Sequence, residues 1–163
     1  LMEIYNRYPI KELIIHPRIQ RDFYNNIPNL EVFESALTQS KNPVVYNGDI
    51  FSDGDFRRFQ ERFPAVKTVM LGRGLIQNPE LAQALREERS SEIFDKTRLK
   101  RFHDELLKQY CELMSGERNV LFRMKELWFY MIRLFPDQPK TEKKIKKAAR
   151  LAEYRAAVDE LLA

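Results

Sequence analysis

Lys67-Thr68-Val69-Met70-Leu71-Gly72-Arg73-Gly74 is a short apolar run closed by a glycine-bearing turn. A run of this length bounded by glycine reads as a buried strand. Two earlier stretches repeat the pattern. Leu13-Ile14-Ile15 ends at His16-Pro17, and Pro43-Val44-Val45-Tyr46 ends at Asn47-Gly48-Asp49. Between these runs the apolar period becomes helical. Residues 29–38 place Leu30, Phe33 and Leu37 on one face, and a helix capped by Ser52 or Asp53 carries Phe56, Phe59 and Phe63. Asn78 followed by Pro79 predicts a third helix, running through Leu81 and Leu85 towards Glu88.

Strands alternating with helices build parallel sheets, which are covered on both faces. A closed (β/α)8 TIM barrel needs roughly 250 residues. Residues 1–90 are therefore expected to supply only the C-terminal βα units of such a barrel. Its open edge is expected to be covered by an upstream half or by self-association. The chain begins with Leu1, which fits a piece of a longer polypeptide.

The second half changes character. Residues 97–115 carry Leu99, Phe102, Leu106, Tyr110 and Leu113 at helical spacing, and Gly116 breaks that helix. Residues 117–135 carry Val120, Met124, Leu127, Trp128, Met131 and Phe135, and Pro136 ends the stripe. Thr141 is expected to cap one last helix whose apolar side holds Leu151, Tyr154, Val158 and Leu161. Three amphipathic helices joined by short turns predict a small bundle over residues 91–163. The expected fold class is thus α/β plus all-α: a partial barrel, then a helical bundle, with the polar segment Glu87 to Lys96 between them.

The 163 residues carry a formal charge of +4, and its distribution is uneven. Residues 1–89 hold 12 Lys/Arg and 12 Asp/Glu, whereas residues 90–163 hold 16 and 12. Within 140–155, seven bases face two acids. Such a run neutralises phosphates, or simply forms a solvated helix face. No apolar run is long enough to span a bilayer, so no membrane role is expected. One cysteine excludes an intrachain disulfide, and neither histidine belongs to a metal-ligand cluster. His103 lies among polar neighbours and reads as solvated, while Cys111 reads as a small packing residue. No nucleophile–base pair supports hydrolysis.

In a βα barrel, functional groups sit where strands end. Gly72 and Arg73 follow the third strand, where glycine lets the backbone approach an anion and arginine adds a forked charge. Asn47, Gly48 and Asp49 end the second, and His16 and Arg18 the first. Each cluster also has a plain structural use, as a turn or as a satisfied histidine.

The ordered set of these motifs resembles a known family. Ile-Ile-His16-Pro-Arg18, Val-Val-Tyr-Asn47-Gly48-Asp49 and Val-Met-Leu-Gly72-Arg73-Gly74-Leu-Ile-Gln-Asn78-Pro79 are similar to the last motifs of bacterial tRNA-dihydrouridine synthases. Gln20-Arg21-Asp22-Phe23-Tyr24 and Met124-Lys125-Glu126-Leu127-Trp128 resemble that family too. The resemblance implies an FMN-binding barrel followed by a helical domain. It implies reduction of uridine in tRNA to 5,6-dihydrouridine, with NADPH as reductant and a cysteine as proton donor, in the cytoplasm. His16 would contact the flavin, Asn47, Gly48 and Asp49 would line the ribityl-phosphate region, and Gly72 and Arg73 would hold the phosphate. On charge alone, Arg18, Lys125, Lys143, Lys144 and Lys147 are the candidate RNA contacts. The family's catalytic cysteine belongs to the other half of the barrel, so no catalytic residue is expected in this chain and the chain alone is expected to be inactive. The alternatives are a non-catalytic RNA-binding module derived from that family, or another FMN-binding barrel acting on a small molecule. The basic tail argues against the latter.

Overall fold

A computed structural model describes residues 1–22 and 25–163, so the Phe23-Tyr24 part of the family-like stretch lies outside the described residues. The chain divides into two compact units, Leu1–Gly74 and Leu75–Ala163.

The first unit contains α1 (Met2–Tyr5), β1 (Leu13–Ile15), a 3-10 turn (Gln20–Asp22), α2 (Leu30–Gln39), β2 (Val44–Asn47), α3 (Asp53–Arg62) and β3 (Val69–Met70). The strands pair in parallel, in the order β1-β2-β3. Leu13 faces Val44, Ile15 faces Tyr46, and Asn47 faces Met70. Helix starts follow side-chain caps. The Asn29 side chain accepts from the Val32 amide at 3.0 Å, and Ser52, rather than Asp53, caps α3 in a reciprocal capping box with Asp55.

An aromatic cluster fixes both helices on the sheet. The Tyr46 ring from β2 stacks on Phe59 of α3 at 4.1 Å, and Phe33 of α2 meets Tyr46 edge-on at 4.9 Å. Phe63 closes the cluster against Phe33 and Phe59. Each ring pair adds about 0.5–1.5 kcal/mol beyond area burial. With so short a strand ladder, these rings set where α2 and α3 sit. Only the central strand is shielded as expected: Val45 and Tyr46 are buried, while Ile14 of β1 and Met70 of β3 are exposed.

The segment after β3 departs from the expectation of one helix starting at Asn78. A short α4 (Arg73–Gln77) begins directly after the strand, and α5 covers Leu81–Arg86. Asn78 lies between them. Its side chain accepts from the Glu80 amide and donates to the Ser91 carbonyl, both at 3.0 Å, so it serves as a buried joint.

The second unit adds α6 (Lys96–Leu113), α7 (Glu117–Met131), a 3-10 turn (Ile132–Leu134), α8 (Pro139–Lys147) and α9 (Leu151–Leu162). The predicted last helix is thus two. Thr141 is a buried residue inside α8 and not its cap. The break at Ala148–Arg150 has no Gly or Pro signal. Side chains hold it instead: Glu153 accepts from the Ala149 amide, Glu117 from the Leu151 amide, and Lys125 donates to the Ala148 carbonyl. Gly116, at φ 84°, makes the turn between α6 and α7 as predicted.

The buried stripe of α6 is also displaced. Leu99, His103 and Leu107 are buried, whereas Phe102 and Leu113 are exposed. His103 is therefore a core residue, 2% exposed, and not solvated. Its Nε2 lies 2.7 Å from the Tyr154 hydroxyl, which also accepts from Trp128 Nε1 at 2.6 Å. An indole only donates, so the tyrosine proton goes to His103 Nε2. His103 is then neutral and donates from Nδ1 to Asp104 at 2.9 Å. Burial holds its pKa below 6.5. Cys111 is exposed, contrary to the packing role expected for it. Among the described residues no helix is long and apolar enough to cross a membrane.

Candidate functional site

The first unit brings the three predicted strand ends together at the carboxyl side of its sheet. His16 directly follows β1, Asn47 ends β2, and Gly72-Arg73 follows β3. His16 Nδ1 lies 2.7 Å from the Asn47 carbonyl. A carbonyl only accepts, so Nδ1 carries the proton there and the imidazole plane is tied to the neighbouring strand end.

Asp49 organises the cluster. Its Oδ2 is 2.5 Å from Arg18 Nη2, and its Oδ1 is 2.5 Å from Arg73 Nη2. Arg18 also donates to the Asn26 carbonyl, and the Arg73 guanidinium lies 5.4 Å from the Phe51 ring centre. The Arg18 side chain is only 3% exposed, and that of Arg73 is 23% exposed. Arg18 was expected on charge alone to meet RNA. Its guanidinium is instead enclosed beside Asp49, so it belongs with the strand-end cluster. Of the two guanidiniums on this carboxylate, Arg73 is the one with more access to solvent.

The glycines differ in what they do. A Cβ on Gly48 would stand 1.9 Å from the Tyr46 hydroxyl, so this glycine is required by the returning tyrosine ring. A Cβ on Gly72 would meet nothing within 4 Å, so the space in front of that turn is open beside Arg73. Burial, with the Asp49 charge second, pushes the Tyr46 phenol up to about 12. Tyr46 is therefore a neutral packing group at physiological pH.

In the second unit, the basic candidates do not form one patch of equivalent charges. Lys125 donates to the Ala148 carbonyl at 2.5 Å, at the end of α8, where a cation is favoured by the helix dipole. Lys144 pairs with Glu160 at 2.6 Å. Lys143 and Lys147 are exposed and make no ion pair among the described residues. The sequence reading missed two exposed aromatics on α7, Phe122 and Phe129, 63% and 57% exposed. Their signal was available: they lie seven residues apart and outside the Val120–Phe135 apolar stripe.

The family described as dihydrouridine synthase (Dus) matches residues 2–161. A curated relative, the tRNA-dihydrouridine(16) synthase of Pseudomonas syringae pv. tomato (strain ATCC BAA-871 / DC3000), is 34% identical over 74 residues. That match covers 45% of this chain and 23% of the relative. With a family match spanning both units, the chain belongs to the dihydrouridine synthase family.

Proposed function

We propose that this chain is the C-terminal part of a flavin-dependent tRNA-dihydrouridine synthase. On this reading residues 1–90 are the end of a (β/α)8 FMN-binding barrel and residues 91–163 are a helical tRNA-binding domain. The observation that carries the reading is the family match over residues 2–161, which includes every strand-end motif in order.

The strand-end residues fit the phosphate end of FMN. A partly exposed guanidinium and open space at Gly72 suit an anion. FMN, when bound, would supply hydride to the uracil base, with NADPH as its reductant. Arg73 and Gly72 hold the phosphate, and Asn47, Gly48 and Asp49 shape the wall beside it. Asp49 acts through Arg73, fixing the guanidinium before the anion arrives, and Arg18 anchors Asp49 from the enclosed side. His16, tied to Asn47 at the adjacent strand end, would contact the flavin. The helical domain grips tRNA, a cytoplasmic partner, while the target base turns out of its stack, because a stacked base hides the face that reacts.

The proton that completes the reduction needs a donor. The resemblance implies a cysteine donor outside this chain, and Cys111 is an exposed residue of α6. On this reading turnover depends on residues outside this chain, and the chain alone is inactive. A non-catalytic RNA-binding module of the same descent is the alternative.

The test is the visible spectrum of the purified chain after adding FMN and desalting, followed by the same chain with Arg73→Ala. Retained flavin absorbance that disappears in the variant supports the phosphate assignment. Retained absorbance indifferent to Arg73→Ala refutes it. Dihydrouridine formed in tRNA by the chain alone, with NADPH and FMN, would refute its inactivity.

A further inference from the structure

Helix α7 carries a second stripe opposite its buried one. Arg118, Phe122, Lys125 and Phe129 recur at intervals of three or four residues, so they share one face, and Arg133 of the following 3-10 turn stands beside Phe129. Phe122 and Phe129 are the exposed members named above, and seven residues of helix separate them by about 10 Å. Each ring borders a concavity. One lies between Phe122 and the Ala148-Ala149 break, the other between Phe129 and Ile145 of α8, and Lys125 lines both.

Two cations of this face, Arg118 and Arg133, are available for an anion, while Lys125 already donates to the Ala148 carbonyl. Among the described residues neither Arg118 nor Arg133 has a carboxylate partner. Arg133 lies 5.9 Å from the ring centres of Phe129 and Tyr130, so it flanks the aromatic pair. Phe122 makes no ring contact among the described residues. Lys143 and Lys147 of α8 are exposed.

An exposed phenylalanine leaves a large apolar surface in water unless something covers it. A ligand that complements this face is apolar and flat at two points and anionic beside them. Unpaired nucleotides have that composition, with bases that stack on aromatic faces and phosphates that meet Arg and Lys. We infer that this face of α7 is a base-stacking platform for unpaired nucleotides of the bound RNA, with Phe122 and Phe129 as the two stacking residues and Arg118, Lys125 and Arg133 as phosphate contacts. The inference rests on the reading of the second unit as the one that grips tRNA, and adds to it a single-stranded element and a mode of contact.

The experiment uses the full 163-residue chain and an unmodified tRNA transcript, with affinity followed by fluorescence anisotropy over a salt series. Phe122→Leu with Phe129→Leu keeps apolar bulk and removes the ring faces. It is expected to weaken binding roughly 10-fold or more at every salt concentration, with the salt slope unchanged. Phe122→Tyr with Phe129→Tyr is expected to retain affinity. Arg118→Ala is expected to lower the salt slope by about one. Thermal melts of all variants should superimpose, because the altered residues are exposed. Tight tRNA binding that the leucine variant leaves intact overturns the platform while preserving the tRNA reading. A wild-type chain that does not bind tRNA overturns both. Self-association abolished by the leucine variant, with no RNA binding, identifies a protein-facing surface and also overturns the inference.

Discussion

Asp49 holds Arg73 at 2.5 Å across 24 residues of sequence, and with its other oxygen it holds Arg18. A single carboxylate therefore sets the positions of two guanidiniums that come from different strand ends. Asp49→Asn keeps the shape but removes the charge that compensates the enclosed Arg18. Leaving a buried cation without its carboxylate is costly, and we expect a loss of about 1–3 kcal/mol, read as a lower urea midpoint. An unchanged midpoint would mean that Arg18 finds adequate compensation elsewhere.

Gly48 has no room for a methyl group because the Tyr46 hydroxyl stands 1.9 Å from where it would go. Gly48→Ala must push the Tyr46 ring off Phe59 and Phe33. Overpacking of this kind costs about 1–3 kcal/mol. Gly72→Ala, at a position facing open space, serves as the contrast and should melt within a degree or two of wild type. Equal melting of both variants would refute the steric account of Gly48.

Tyr154 satisfies Trp128 and His103 with one hydroxyl. Tyr154→Phe keeps the ring and leaves a buried indole N–H and an imidazole nitrogen without partners. The expected cost is about 1–3 kcal/mol for each stranded group, measurable by urea unfolding. A loss below half of one such group would show that water replaces the hydroxyl.

The same histidine gives a pH dependence. Its folded pKa lies below the ordinary 6.5 because burial disfavours the imidazolium. The unfolded chain then binds the extra proton first. His103 thus contributes stability that is fully present above about pH 6.5 and is lost as pH falls through its depressed folded value. Lys100, Asp104 and Asp159 surround it and modulate the slope without reversing it. Urea midpoints measured from pH 8 to pH 5 should fall below pH 6.5, and His103→Gln should flatten that part of the curve.

Local signals located most of the elements. The three strands end within a residue or two of where β-branched runs meet Gly, Pro or Asn, and both expected helices form, with Ser52 as the cap of the second. What escaped depends on distant partners. His103 was read as polar because its neighbours in sequence are, yet Tyr154, 51 residues away, makes its burial affordable. The break after Ala148 rests on Glu117 and Lys125 from another helix, so periodicity alone runs straight through it. At the candidate site, the residue types at the strand ends were legible. Their division of labour was not: only the folded chain puts Asp49 between Arg18 and Arg73, or sets the Tyr46 hydroxyl against Gly48.

The shared hydroxyl of Tyr154 also imposes an order on the birth of the second unit. As the chain leaves the ribosome, α6 and α7 emerge before α9, carrying a histidine and a tryptophan whose polar atoms have no counterpart yet. Until residue 154 arrives, neither His103 Nε2 nor Trp128 Nε1 has the bond it makes in the folded unit.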